Sequence, residues 1–286
     1  MPWEVPQKYF DLYPLEDIPD LKIQEDDLKD AFDHGRRDWH KWVLENDQWK
    51  KVIQGYLASI SFADVQLGRL LDTFENSAYK DNTIVMLWSD HGMHMGEKEN
   101  WEKFTLWEEA TRVPFIIKAP GITKAGSRTI QPVSLLDIFP TLAELTGFEV
   151  PKHCDGVSVL SLIKDPKTKR DHSALTSFKF NRASKIYAAN PDIGHSLRGE
   201  RYRYIYYEKR GLEELYDHDV DPYEFKNMAY DKEYSSEIKR FRNEIIKRIS
   251  YLRLEQIKKL PIGYRIEEEN VISTSFKTMS DLPLPE

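Results

Sequence analysis

The fold is indicated most clearly by one apolar run, Thr83-Ile84-Val85-Met86-Leu87-Trp88, which leads directly into Ser89-Asp90-His91-Gly92. A continuous apolar run that is partly β-branched and bounded by turn residues is typical of a strand buried on both faces in a parallel sheet. A second run of this kind, VPFIIKAPG at residues 113–121, follows a polar and aromatic loop. We therefore predict an α/β layer fold, with short polar side chains at the carboxyl end of a central strand.

Helical patterns surround these two runs. Apolar residues recur at helical spacing over residues 47–75, which predicts a long amphipathic helix. Residues 134–147 show the same periodicity and end in Gly147, a favoured residue just after a helix. Shorter helices are expected around residues 106–110 and within residues 156–165. Residues 1–166 are thus predicted to form part of an α/β core.

The pattern changes near residue 167. Short strand-like pieces separated by turn residues occupy positions 174–180, 186–189, 195–198 and 201–207, and they predict a small antiparallel sheet. A long, highly charged helix is expected over residues 234–260, and residues 261–286 are expected to form an extended tail. We predict a small α+β C-terminal subdomain spanning residues 167–260.

Composition restricts the possible partners. The 286 residues carry a formal net charge of -7, spread along the chain, so no basic footprint for nucleic acid is present. No apolar run approaches the roughly 20 residues that span a bilayer. The opening residues lack a basic stretch leading into an apolar one, so no secretion signal is expected. Cys154, the single cysteine, is interpreted as an inert thiol in a turn.

Asp90-His91-Gly92 is the first candidate for chemistry. An aspartate supplies a hard oxygen to a divalent cation, a histidine is either a ligand or a donor to an anion, and glycine permits close backbone approach. The same Asp-His pair occurs at three other places in the chain, but only here does it follow a buried-strand pattern. A capped turn holding a satisfied histidine is the alternative reading.

Several stretches of the chain resemble the sulfatase family of the alkaline-phosphatase-like superfamily. They are QGYLASISFADVQLGRLL at 54–71, NTIVMLWSDHG at 82–92, WEKFTLWEEATRVP at 101–114, LLDIFPT at 135–141, DGVS at 155–158, and LYD at 215–217 with DP at 221–222 and NMA at 227–229. The opening PWEVPQKYFDLYPL, residues 2–15, is similar to the iduronate-2-sulfatase branch. The resemblance implies a partial alkaline-phosphatase-like parallel-sheet sandwich with a small C-terminal antiparallel sheet plus helix subdomain.

The resemblance also implies residue roles. Asp90 matches the calcium-binding aspartate of the family, and His91 matches the neighbouring residue that completes the metal site. Lys103 matches the lysine that contacts the sulfate and stabilises negative charge during S–O cleavage. His94 is a candidate for contacting substrate hydroxyls or orienting Lys103, with a surface role as the alternative. Trp101 and Trp107 are interpreted as core residues in preference to flanks of a sugar ring.

The nucleophile of the family is a formylglycine made from the first residue of a Cys/Ser-x-Pro-x-Arg motif, and this sequence contains no such motif. Calcium takes about 6 to 8 oxygen ligands, and the matched positions supply two side chains, so the predicted Ca²⁺ site is incomplete. We therefore interpret the chain as the C-terminal part of a sulfatase. A truncated gene product, one chain of a split enzyme whose N-terminal half is a separate partner, and a naturally shortened protein are the competing explanations.

Two functions from different classes follow. The first is hydrolysis of a sulfate ester, on a sulfated carbohydrate, once the nucleophile-bearing half is supplied. The second is a non-catalytic remnant that binds carbohydrate or protein through its aromatic-rich surface, which includes 7 Trp and 15 Tyr. A full-length relative is expected to be periplasmic, secreted or lysosomal.

Overall fold

The computed structural model describes residues 3–20, 23–33, 37–180, 192–208 and 210–258. Its helices are α1 (Gln7–Phe10), α2 (Arg37–Glu45), α3 (Trp49–Glu75), α4 (Glu108–Thr111), α5 (Ile138–Thr146), α6 (Leu160–Lys164) and α7 (Ser235–Lys258). Its strands are β1 (Val85–Trp88), β2 (Phe115–Lys118), β3 (Ala174–Phe180), β4 (Asp192–Arg198), β5 (Tyr202–Tyr207) and β6 (Leu212–Asp217). The α/β class and the small C-terminal antiparallel sheet with its helix are confirmed.

The first sheet differs from the prediction in direction and in burial. β1 and β2 pair antiparallel, with Val85 opposite Lys118 and Trp88 opposite Phe115, so the expected parallel relation between these two runs is wrong. The cause is the connection between them, because the backbone N–H of Gly92 donates to the carbonyl of Ala110 and returns the chain to the end where β1 finishes. A strand that starts there runs back along its neighbour. Neither strand is buried on both faces.

The second sheet has the order β3-β4-β5-β6, and all its pairings are antiparallel. Its central residues are buried on both faces. Tyr204 packs with Phe241 and Ile245 of α7, whereas Ile205 faces the other side and packs with Trp107 from the loop before α4. This small sheet therefore lies between α7 and the loops of the preceding region.

The sequence missed β6 because two of its buried residues are acidic. Glu213 and Glu214 are 4% and 1% exposed. Glu213 is paired with Arg242 of α7, and Glu214 accepts hydrogen bonds from the Trp107 Nε1–H at 2.7 Å and the Phe32 backbone N–H at 2.6 Å. Partners this distant in sequence leave no local pattern. The helix α2 was also missed.

The other predicted elements are either present in the structure or remain predictions. α3, α5 and α7 lie where helical spacing placed them, and Gly147 ends α5 with a φ of 78°. The subdomain boundary near residue 167 remains a prediction. The strand-like piece at 186–189 and the tail at 261–286 lie outside the described residues. Among the residues described, no helix has both the length and the apolar character needed to cross a bilayer.

Candidate functional site

The loop after β1 is held in a defined shape by Gly92. A Cβ atom added at this position would stand 1.9 Å from the carbonyl oxygen of Glu109, which is closer than any real side chain tolerates. The glycine therefore allows the start of the loop to lie directly against α4, where its N–H meets the carbonyl of Ala110 at 2.9 Å. Both ends of the loop that carries Lys103 are thereby fixed at the carboxyl end of β1.

This loop brings Asp90, His91 and Lys103 together. The Lys103 Nζ lies 2.6 Å from the His91 Nε2, and the Asp90 Oδ2 lies 3.4 Å from the same nitrogen. His91 Nδ1 is 2.8 Å from the carbonyl oxygen of Gly92, which only accepts, so Nδ1 carries the proton. The lone pair of a neutral His91 is then on Nε2, and the ammonium of Lys103 donates to it. The predicted site residues Asp90, His91 and Lys103 thus share one position.

The side chains at this position are of a chemical type that can bind a divalent cation. Asp90 offers a carboxylate that is 83% exposed, and His91 offers Nε2, whose orientation is fixed by the second ring nitrogen. In this structure the lone pair of Nε2 accepts the hydrogen bond from Lys103, which a bound cation would have to displace. These two side chains are fewer than the about 6 to 8 ligands that calcium usually takes. The role of Asp90 and His91 as metal ligands remains a prediction.

His94 lies elsewhere than expected. Its side chain is fully buried, with Nε2 at 2.7 Å from the Thr105 hydroxyl and its ring against the edge of Trp107. Burial lowers the pKa of His94 to about 4, so the ring is neutral near pH 7. A side chain without solvent contact cannot reach a substrate, so the structure argues against the substrate contact predicted for His94. Its position supports the loop that carries Lys103.

The two tryptophans of the loop are core residues, as favoured from the sequence. Trp101 is 5% exposed and donates from Nε1 to the His40 Nδ1 at 3.0 Å, which attaches α2 to the loop. Trp107 is 1% exposed and donates to Glu214 of β6. Neither indole lies in the position of a platform for a sugar ring. The loop is therefore attached to α2 through Trp101 and to the small sheet through Trp107.

A buried ion-pair cluster joins α4 to the small sheet, and sequence reasoning did not find it. The Arg203 guanidinium contacts the carboxylates of both Glu108 and Glu224, and His218 Nε2 lies 2.9 Å from the Glu224 carboxylate. Although burial opposes ionisation, Arg203 and His218 lower the pKa of Glu224 to about 2. Glu224 also has a positive φ of 59°.

Glu108, His218 and Glu224 have ligand atoms close enough together to share a metal ion. In this cluster, however, Arg203 already contacts both carboxylates as their counter-ion. We therefore interpret the cluster as a structural connection between α4 and the small sheet. No local sequence signal marks it, because its members come from four separate segments.

One large cavity contains the candidate site. Its volume is about 2130 Å³, and Asp90, His91 and Lys103 form part of its wall. The rest of the lining comes from β2 and its following loop, from β3 and from residues near the ends of β4 and β6.

Comparison with known proteins places these features in a family. A family profile described as "Sulfatase" matches residues 5–148, and one described as "N-sulphoglucosamine sulphohydrolase, C-terminal" matches residues 96–251. A sulfatase from Formosa agariphila is 39% identical over 245 residues, covering 83% of this chain and 46% of the relative. The iduronate 2-sulfatase of Homo sapiens is 27% identical, covering 82% of this chain and 56% of the relative.

A solved structure described as a 2-O GAG sulfatase superposes with a TM-score of 0.67 at 28% identity, covering 84% of this chain and 54% of that one. The chain therefore spans about half the length of the relatives it matches. The matched half includes the loop with Asp90, His91 and Lys103.

Proposed function

Because this chain belongs to the sulfatase family, we propose that it contributes the Asp90–His91–Lys103 position to a sulfuric ester hydrolase that acts on a sulfated saccharide. The observation that carries the proposal is that the Asp90 carboxylate and the Lys103 ammonium both lie close to His91 Nε2, although Lys103 comes more than ten residues later in the chain. The saccharide is chosen because relatives are described as an iduronate 2-sulfatase and a 2-O GAG sulfatase.

Each residue has a distinct task in this proposal. Lys103 carries a compact positive charge that donates hydrogen bonds to the sulfuryl oxygens, where negative charge increases during S–O cleavage. Asp90 and His91 would hold part of a divalent cation site, and such a cation would neutralise the same oxygens. The hydrogen bond from His91 Nδ1 to Gly92 keeps Nε2 directed at this position.

The sequence carries no Cys/Ser-x-Pro-x-Arg nucleophile motif. We propose that a further polypeptide segment, corresponding to the other half of the relatives, supplies the nucleophile and the remaining cation ligands. A second candidate is a protein that binds sulfated saccharides without hydrolysing them. The two candidates differ in one measurable property, which is turnover in the presence of the complementary segment.

The test is reconstitution with the corresponding N-terminal segment of the Formosa agariphila sulfatase, produced with its nucleophile matured. Complex formation is followed by sedimentation, and turnover is followed with an aryl sulfate in the presence of calcium. We expect no turnover by the chain alone and turnover by the complex. Asp90→Asn and Lys103→Met should each lower the turnover of the complex by about a hundredfold or more, and Lys80→Met, an exposed control on the loop after α3, should leave it unchanged.

Three results would contradict the proposal. A complex that forms without turnover would favour the binding protein. Turnover that survives Lys103→Met would remove the assigned role of that lysine. Failure of the two segments to associate would contradict the completion of the site by a second polypeptide.

A further inference from the structure

A serine, a histidine and a glutamate are joined by hydrogen bonds across the small sheet, outside the candidate site. Ser177 of β3 lies directly opposite His195 of β4, and its Oγ is 2.9 Å from the His195 Nδ1. The other ring nitrogen, Nε2, is 2.8 Å from Oε1 of Glu208, which directly follows β5. The order of these groups is that of a nucleophile, a base and the group that orients the base.

The glutamate determines where the proton lies on the histidine ring. A carboxylate only accepts hydrogen bonds, so His195 Nε2 carries the proton that it donates to Glu208. The lone pair of a neutral His195 is then on Nδ1, and the Ser177 hydroxyl donates to it. The two ring nitrogens are exchanged relative to the usual triad, but His195 is in the tautomer that can take the hydroxyl proton.

The three side chains differ in exposure as a nucleophile and its base require. His195 is 4% exposed and the side chain of Glu208 is 13% exposed, so both are shielded from water. Ser177 is exposed and lines the large cavity. A ligand in the cavity can therefore reach the hydroxyl. The positive ring that forms when His195 takes a proton stays beside Glu208, where low exposure strengthens their attraction.

The edge of the sheet offers hydrogen-bond donors beside Ser177. β3 is the edge strand of this sheet in the described part of the chain, and five consecutive residues of it, 174–178, line the cavity. Every second backbone N–H of an edge strand points away from the neighbouring strand. Such N–H groups stabilise the oxyanion that forms when a carbonyl group is attacked. Leu175, on the same face of β3 as Ser177, packs against the core and offers apolar surface for a short acyl group.

We propose that Ser177, His195 and Glu208 form a second reactive site, which hydrolyses a carboxylic ester with a short apolar acyl group. Ser177 Oγ bonds to the carbonyl carbon while its proton passes to His195 Nδ1. The bond from that carbon to the alcohol oxygen then breaks, and His195 returns the proton to the leaving alcohol. Water attacks the acyl carbon, gives a proton to His195 and releases the acid, and the proton returns to the Ser177 oxygen. Glu208 stabilises the positive ring in each half of the reaction.

The test uses the chain alone, because all three groups belong to it. A biotin-linked alkyl fluorophosphonate, which bonds to activated serines with loss of fluoride, is added, and mass spectrometry of the digested chain identifies the labelled residue. Release of p-nitrophenol from p-nitrophenyl acetate measures hydrolysis. Ser177→Ala, His195→Gln and Glu208→Gln are compared with the control Ser127→Ala. Ser127 is an exposed serine that lines the same cavity, and its hydroxyl donates to the Lys124 carbonyl at 2.7 Å.

We expect the label on Ser177 together with hydrolysis of the acetate. Ser177→Ala should lose both, and His195→Gln should lower both rates by about a hundredfold or more, the usual contribution of a general base. Glu208→Gln should lower them by about tenfold or more, because a neutral amide stabilises the positive ring less well. Ser127→Ala should stay within about twofold of the unchanged chain, because a carbonyl does not take a hydroxyl proton. Thermal unfolding checks that each variant remains folded, and Glu208→Gln still tests the site if His195→Gln does not fold.

Labelling of Ser177 no faster than that of Ser127 would overturn the proposal and leave the three groups as a structural link between strands. Labelling that persists in folded His195→Gln or Glu208→Gln would overturn the role of the residue replaced. Labelling of Ser177 without hydrolysis of the acetate would overturn the hydrolytic step. The activity goes beyond the proposed sulfuric ester hydrolysis, and none of these results depends on the second polypeptide of that proposal.

Discussion

The small C-terminal sheet buries its apolar side chains to a very different degree from a second region, which consists of α3 and the β1–β2 pair. In the first region, Tyr204, Leu215 and Phe241 are each 0% exposed. In the second region, Leu70 of α3 is 65% exposed and Ile116 of β2 is 59% exposed. The same chain therefore contains one region with a complete core and one with apolar surface left in solvent.

The difference shows which region can stand alone. The small sheet is covered on one face by α7 and on the other by Trp107 and its neighbours, so its core closes within the chain. Contiguous exposed apolar surface on a folded protein marks an interaction site. Leu70 and Ile116 are therefore the positions at which we expect the complementary segment of the proposed function to pack. Stability should come mainly from the first region and association from the second.

The largest effect should come from breaking the ion-pair cluster that connects α4 to the small sheet. Arg203→Met removes the counter-ion of Glu108 and Glu224 and leaves their carboxylates uncompensated in a buried position. Such a change lowers the free energy of unfolding by about 3–5 kcal/mol. Urea denaturation measures the loss. Arg69→Met, at an exposed position on α3, is the control and should change the free energy by less than about 0.5 kcal/mol.

A loss for Arg203→Met no larger than that of the control would show that the cluster is not a structural connection. The outcome bears directly on the interpretation of Glu108, His218 and Glu224 as part of a structural cluster.

The next effect compares the two regions by the same kind of truncation. Ile245→Ala in α7 creates a cavity in a core where Ile245 is 0% exposed, and it should lower the free energy of unfolding by about 3 kcal/mol. Leu70→Ala in α3 removes a side chain that is 65% exposed and should change it by less than about 0.5 kcal/mol. Equal losses at the two positions would mean that α3 is packed as tightly as α7 in solution.

The sequence predicted elements with strong local patterns and missed contacts between distant segments. α3 was found because its apolar residues recur at helical spacing, and β3 because turn residues bound it on both sides. The direction of β2 was wrong, because it depends on the contact between Gly92 and Ala110 rather than on the strand itself. β6 was missed because Glu214 is held in the core by Trp107 and Phe32, which are more than one hundred residues away.

The candidate site was predictable to the extent that it follows a family motif. The resemblance placed Asp90, His91 and Lys103 together, and the structure brings their side chains into contact. His94, three residues after His91, was assigned to the same site because sequence neighbours are expected to share an environment. Its ring instead turns into the core towards Thr105 and Trp107, which no local pattern encodes.

The smallest of these effects concerns His94, which lies where the loop packs on the small sheet. Its pKa is lowered to about 4 by burial, below the unfolded value of about 6.5, so the neutral ring contributes stability above pH 6.5 that is lost as the pH falls towards 4. The contribution should decrease by about 2 kcal/mol between pH 7 and pH 5. The free energy of unfolding is measured for the unchanged chain and for His94→Gln at both pH values. The difference between the two proteins is then compared, because the contributions of the other titrating groups cancel in that difference. His153→Gln, an exposed control, should show no such change. A difference for His94→Gln that does not depend on pH would mean that His94 is in contact with solvent, and it would again be a candidate for substrate binding.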